Sequence, residues 1–157
     1  MSDKSCNFYM ARAIENAKNF GADIPVCAMV VKNNEIIAIQ TNKWEKENDI
    51  SAHAEILALK EASKKVGNWR LNGCDLYVTL EPCPMCAWAI LNSRIENLYF
   101  GSYDIKYGAF GSKINLQNIS DTKIKVFGGI MEQECNLILN DYFSELRKWN
   151  NIWTNLF

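Results

Sequence analysis

Apolar positions along the chain recur with helical spacing in some stretches and as short continuous runs in others. From about Asn7 to Phe20 they fall at Phe8, Ala11, Ile14 and Ala17, one face of a helix, and Gly21 supplies the stop. The runs Val26–Val31 and Ile36–Ile39 flank Asn33-Asn34, a turn pair, and predict an antiparallel hairpin. A helix is expected from near His53 to Val66, closed by Gly67, with Ser51 as its cap, and a strand over Asp75–Leu80. The next helix starts at Cys83 and runs to about Ser93, followed by a strand over Leu98–Phe100. Lys123–Phe127 is another strand, ended by Gly128-Gly129, and Met131 to about Trp149 forms a closing helix. Two strands followed by alternating helix and strand predict an α/β fold, a mixed sheet with helices on both faces in three layers.

Composition narrows the class without naming an activity. The 157 residues are 48% hydrophobic and 22% charged, with a net charge of −1, the balance of one soluble domain over 1–157. No repeat or Pro/Ser-rich linker suggests a boundary. No stretch has the apolar length of a membrane span and the start lacks the apolar region of a leader, so no membrane association and a cytoplasmic location are expected. The near-neutral charge argues against a strong, non-specific polyanion binder, while a local basic face would still suit a nucleic acid. The six cysteines are read as free thiols, since only Cys83 and Cys86 are close in sequence and several others sit among apolar neighbours.

Two segments carry chemistry: Ala52-His53-Ala54-Glu55-Ile56 and Glu81-Pro82-Cys83-Pro84-Met85-Cys86. Among their side chains are two thiolates, one imidazole and the carboxylate of Glu55. His53, Cys83 and Cys86 can hold Zn2+ with a fourth position left for water, the layout of a catalytic site. Glu55, two residues from the histidine, is then free to carry the proton that such a water must lose. At the strand-to-helix junction Cys83 falls at an N-cap and Pro84 at the first helical position, where a missing N–H costs nothing. Cys86 follows in the first turn, where the helix dipole favours thiolates. Ligand sites of this kind sit at the carboxyl ends of strands in open α/β sheets.

Plainer readings stand beside this one. A lone histidine is usually an ordinary polar residue, and a C-x-x-C pair serves structural zinc knuckles and redox sites as well. A closed structural site needs a fourth ligand, for which Cys6, Cys27, Cys74 and Cys135 are the candidates. It is the combination, H-A-E at one helix start and P-C-P-M-C after a strand, that favours a catalytic zinc site.

From about Tyr9 to Lys148 the chain resembles the cytidine deaminase-like superfamily, and within it the bacterial tRNA-specific adenosine deaminases. The likeness rests on the two motifs and on three further segments. Pro25-Val26-Cys27-Ala28-Met29-Val30-Val31 with Thr41-Asn42 is similar to the family's first hairpin. Gly101-Ser102-Tyr103-Asp104-Ile105-Lys106-Tyr107-Gly108-Ala109-Phe110-Gly111-Ser112 matches its glycine-rich segment. Glu134-Cys135-Asn136-Leu137-Ile138-Leu139-Asn140-Asp141-Tyr142-Phe143 resembles the start of its last helix. The resemblance implies a three-layer fold around a mixed five-stranded sheet, zinc on His53, Cys83 and Cys86, and Glu55 as proton shuttle. It implies further that Asn42 bonds the purine edge, that the backbone around Ala54 and Asp104 hold the flipped nucleotide, and that Tyr142 and Phe143 line the mouth. The implied reaction is hydrolysis of adenosine to inosine at the wobble position of a tRNA anticodon loop, by a homodimer.

Alternatives remain for the outer residues. Asn42 also suits a turn, Asp104 and Gly108 also shape a loop, and Tyr142, Phe143, Trp149, Trp153 and Phe157 also suit core or dimer packing. Lys106, Lys113, Arg147 and Lys148 are candidate phosphate contacts or a solvated face. Cys27 and Trp88 stand where the family commonly has glycine, which bears on the pocket and on the dimer respectively. Two rival functions follow: a deaminase of a free base or nucleoside such as guanine or cytosine, and a zinc-stabilised binding protein without turnover.

Overall fold

Five strands form one mixed sheet in the order β2-β1-β3-β4-β5 in the computed structural model, which describes residues 3–19 and 21–154. The elements are α1 (Asp3–Ala17), β1 (Cys27–Lys32), β2 (Glu35–Thr41), α2 (Trp44–Glu47), α3 (Ala54–Val66), β3 (Cys74–Leu80), α4 (Pro84–Asn92), β4 (Asn97–Ser102), β5 (Lys125–Phe127) and α5 (Glu132–Thr154). A 3₁₀ turn over Leu116–Asn118 precedes β5. The hairpin forms as expected. Asn33 and Asn34 both take positive φ, 51° and 64°, the backbone of a tight two-residue turn, and β1 pairs antiparallel with β2 on one side and β3 on the other. β3, β4 and β5 are parallel.

Alternation along the central strands divides the core into two layers. Ala28 and Val30 of β1, Leu76 and Val78 of β3, and Leu98 and Phe100 of β4 face α3 and α4, where they meet Ala54, Ala58, Ala62, Ala87, Ile90 and Leu91. Cys27, Met29, Val31, Tyr77 and Tyr99 face the other way, against Tyr9, Met10, Ala13 and Ala17 of α1 and Cys135 of α5. This is the three-layer α/β/α arrangement expected from the sequence. On the α1 side, Tyr77, Tyr99 and Phe127 stack in series across β3, β4 and β5, with centroids 4.6 and 4.9 Å apart.

The pairing brings the carboxyl ends of β2, β3, β4 and β5 to one edge, together with the entry to β1. The starts of α3 and α4 lie there. α3 ends where Gly67 takes the left-handed conformation (φ 71°) and returns its N–H to Ser63 and Lys64 carbonyls. Its beginning differs from expectation. His53 occupies the N-cap without a side-chain capping bond, and the Ser51 hydroxyl donates instead to the Asp49 carboxylate at 2.7 Å. The Ala54 N–H is satisfied from outside the helix, by Asn42 Oδ1 at 2.8 Å. The His53 ring is thereby free of capping duty.

Candidate active site

His53 from the start of α3 and Cys83 and Cys86 from the start of α4 converge at this edge. Cys83 is the N-cap of α4, with Pro84 directly behind it, and Cys86 is fully buried one turn on. His53 Nδ1 stands 3.7 Å from Cys83 Sγ and 3.5 Å from Cys86 Sγ, and the ligating atoms of all three residues lie within 4.8 Å of one another. Among the described residues no other Cys, His, Asp or Glu joins this group. In particular, Cys27, Cys74 and Cys135 do not supply a fourth ligand. Tetrahedral zinc with ordinary bond lengths separates its N and S ligands by about 3.6 Å, so the donor set and its spacing fit that metal.

The sulfurs and the imidazole share protons. A hydrogen bond from the Cys86 thiol pulls Cys83 down to about 4, with His53 adding to the effect. The same bond, with burial, holds the proton on Cys86. His53 is raised, chiefly by its bond to Cys83. Glu55, buried in the first turn of α3, is pushed up to about 7 because burial penalises its charge; the Cys83 charge adds to the rise and His53 opposes it.

A cavity of about 370 Å³ opens onto this cluster. Glu55, His53 and Cys83 form its reactive wall. Ile24, Val26 and Leu80 are apolar lining, and Asn42, Trp44, Asp104 and Tyr107 complete it. The dimensions and the mixed lining suit one heterocyclic ring system with a few polar contacts. Asn42 has its Oδ1 engaged by Ala54, which leaves the two Nδ2 donors for a ligand. Ala54 is fully buried, its N–H taken by Asn42, and it does not line the cavity. Asp104 lines the cavity, and its Oδ1 also accepts the N–H groups of Lys106 and Tyr107 at 3.0 and 2.9 Å, so it shapes the loop as well.

Three expectations change. Tyr142 does not reach this cavity: its hydroxyl donates to the Ala22 carbonyl at 3.0 Å and its ring lines a separate groove of about 470 Å³ between the end of α1 and α5. Phe143 packs edge-on against Tyr142 and is likewise absent from the cavity. Helical order placed both on α5, and α5 lies against β4 and α1 rather than over the motif. Cys27 does not narrow the cavity either. It points into the α1-side layer while its neighbour Val26 lines the site, and burial pushes its thiol up to about 12, an inert state. Of the terminal aromatics, Trp149 lines the α1–α5 groove, while Phe157 and the side chain of Trp153 lie outside the described residues. Lys148 is paired with Glu145 at 2.8 Å, and Trp88 stands 46% exposed on the outer face of α4.

Glu81, which the sequence reading passed over, organises the far wall. Its buried carboxylate accepts three backbone N–H groups: Phe110 at 3.0 Å and Ser112 at 3.1 Å on Oε1, and Asp104 at 3.1 Å on Oε2. Gly108 lies against the same carboxylate, where any Cβ would overlap it. The Gly101–Ser112 segment is therefore wrapped around a charge that sits next to the cysteine motif. An acidic residue between an apolar strand and P-C-P-M-C was the available signal. Its partners, 23 to 31 residues further on, were not. Glu81→Gln turns one acceptor into a donor facing an amide and is expected to cost about 1–3 kcal/mol, measured by urea unfolding with the metal bound.

The chain matches the family model of the MafB19-like deaminases over residues 2–147. A tRNA-specific adenosine deaminase of Bacillus subtilis (strain 168) is 45% identical over 144 residues, covering 89% of each chain. The chain belongs to the tRNA-specific adenosine deaminase family. A solved structure from work on A-to-I editing by tRNA:A34 deaminases superposes on this family member with a TM-score of 0.77 at 37% identity, covering 84% of this chain and 99% of that one. A guanine deaminase from Nitrosomonas europaea, at 23% identity and a TM-score of 0.71 over 90% of this deaminase and 84% of its own chain, shares the fold.

Proposed function

We propose that this chain is a zinc-dependent hydrolase that converts adenosine to inosine at the wobble position of a tRNA anticodon loop, releasing ammonia. The observation that carries the reading is the convergence of His53, Cys83 and Cys86 on a cavity that also holds a buried carboxylate outside the ligand group. The tRNA substrate rests on the named relatives.

His53 Nδ1 and the two cysteine sulfurs would hold the ion. The chemistry zinc supplies at such a site is activation of water at neutral pH. The chain's own residues do the rest. Glu55 would accept one proton from the attacking water and deliver it to the purine ring nitrogen, then take the second from the new C6 hydroxyl and pass it to the amine, which leaves as ammonia. Its raised pKa suits a group that must both take and return a proton near neutrality. Asn42 Nδ2 offers donors to the purine edge, and its bond to Ala54 fixes the amide in place. Asp104 holds the loop that borders the base. The apolar lining of Ile24, Val26 and Leu80 excludes bulk water from the reacting ring. A loop base suits this cavity because it is splayed out at low cost.

The enzyme acts in the cytoplasm, where anticodon loops are met. It works as a homodimer: Met85 and Trp88 on the outer face of α4 and the adjacent Trp69 expose the apolar surface that self-association would bury, and sedimentation velocity reads the mass directly. The substrate is tested by comparing turnover of an anticodon stem-loop with that of free guanine and cytosine. The RNA reading predicts stem-loop deamination that weakens with added salt and negligible turnover of the free bases. Turnover of a free base with silence on RNA would reassign the substrate.

A further inference from the structure

The connection between β2 and α3 places an indole in the wall of the cavity. Trp44 is the one apolar residue in Lys43-Trp44-Glu45-Lys46-Glu47-Asn48-Asp49, and the short helix it opens buries no residue, so core packing does not account for it. Its ring meets the His53 imidazole edge to face, with centroids 5.3 Å apart and planes at 78°, and lines the cavity beside Asn42 and Glu55. The backbone beneath it is tied on every side. The Lys43 N–H donates to the Ala52 carbonyl at 2.9 Å, and Trp44's own carbonyl accepts the Asp49 N–H at 3.1 Å. The Glu45 N–H donates at 2.8 Å to the carboxylate of Asp23, a buried residue from the loop before β1. Asn48 closes the turn in the left-handed conformation. A lone large aromatic, half-buried and held by its backbone bonds in the wall of the cavity, is the arrangement of a ligand contact.

We propose that Trp44 is a specificity-determining contact of this site: its indole packs against the target nucleobase, at right angles to the imidazole, and rewards a base in the cavity over an empty one. The inference rests on the wobble-adenosine reading and deepens it by naming what recognises the base through shape and apolar contact, where Asn42 recognises its edge. Asp23 is a positioning residue for the same contact, acting through the Glu45 amide.

The test is binding, read in zinc-loaded Glu55→Ala protein so that no product forms. Two anticodon stem-loops are titrated, one with adenosine at the wobble position and one abasic there. Trp44→Ala is expected to weaken binding of the adenosine loop about 5- to 150-fold while leaving the abasic loop within about twofold, the range of one base–aromatic contact. Trp44→Phe keeps an aromatic face and should recover most of the affinity, with an unchanged melting temperature as a check on folding. Equal weakening on both loops, or none on either, overturns the proposal. A protein that binds neither loop before Trp44 is altered refutes the RNA reading instead. The same comparison with free adenine then decides the contact, and unchanged affinity in Trp44→Ala overturns it.

Discussion

Glu55→Ala is expected to keep its zinc and lose deamination by about 10²- to 10⁴-fold, the usual reach of a positioned general acid–base group. The separation of the two properties follows from geometry. Glu55 is buried in the wall of the cavity, yet it stands outside the group formed by His53, Cys83 and Cys86, so its removal leaves every ligand in place. Metal content by atomic absorption and stem-loop affinity should both match the parent. Parallel loss of metal and activity would make Glu55 a ligand rather than a proton carrier. Unchanged deamination would remove Glu55 from the proton path, whereas zinc binding without deamination in the parent protein would favour a binding protein.

Cys86→Ala should give the opposite pattern, with loss of the metal itself. Cys86 is fully buried against the first turn of α4, and no other cysteine among the described residues lies near enough to replace it. The two remaining donors cannot complete a three-ligand catalytic set. The variant is expected to emerge from dialysis without zinc and to turn over stem-loop at the level of metal-free protein, and added zinc should restore the parent treated with chelator but not the variant. Full zinc occupancy in Cys86→Ala would show that the ion is held elsewhere.

Much of this was legible in the order of residues because the signals were local. Asn33-Asn34 marks a hairpin by its tolerance of positive φ, Gly67 marks the end of α3, and Pro84 marks the start of α4, and each acts within a few residues of itself. The convergence of His53, Cys83 and Cys86 was legible for the same reason, since both motifs sit at helix starts that the sheet brings to one edge. What escaped depended on distant parts of the chain. In the continuous apolar run of β1 the alternation carries no polar marker, so the sequence does not say which layer Cys27 joins. α2 is four residues of mostly charged chain, held by Asp23 and Ala52 rather than by its own propensity. Tyr142 was placed on the right helix but at the wrong groove, because the packing of α5 is set by β4 and α1. α5 runs past Trp149 to Thr154 since no glycine or proline stops it.

The proposed reaction is conversion of a wobble adenosine in the cavity walled by His53, Glu55 and Cys83. Its most direct test is nucleoside analysis of an anticodon stem-loop after incubation with zinc-loaded protein, with a second loop carrying its only adenosine one position away. Inosine at the wobble position, little or none in the displaced loop, and none from metal-free protein is the result expected. Zinc-loaded protein that leaves the wobble adenosine intact, or that converts both loops equally, would contradict the account.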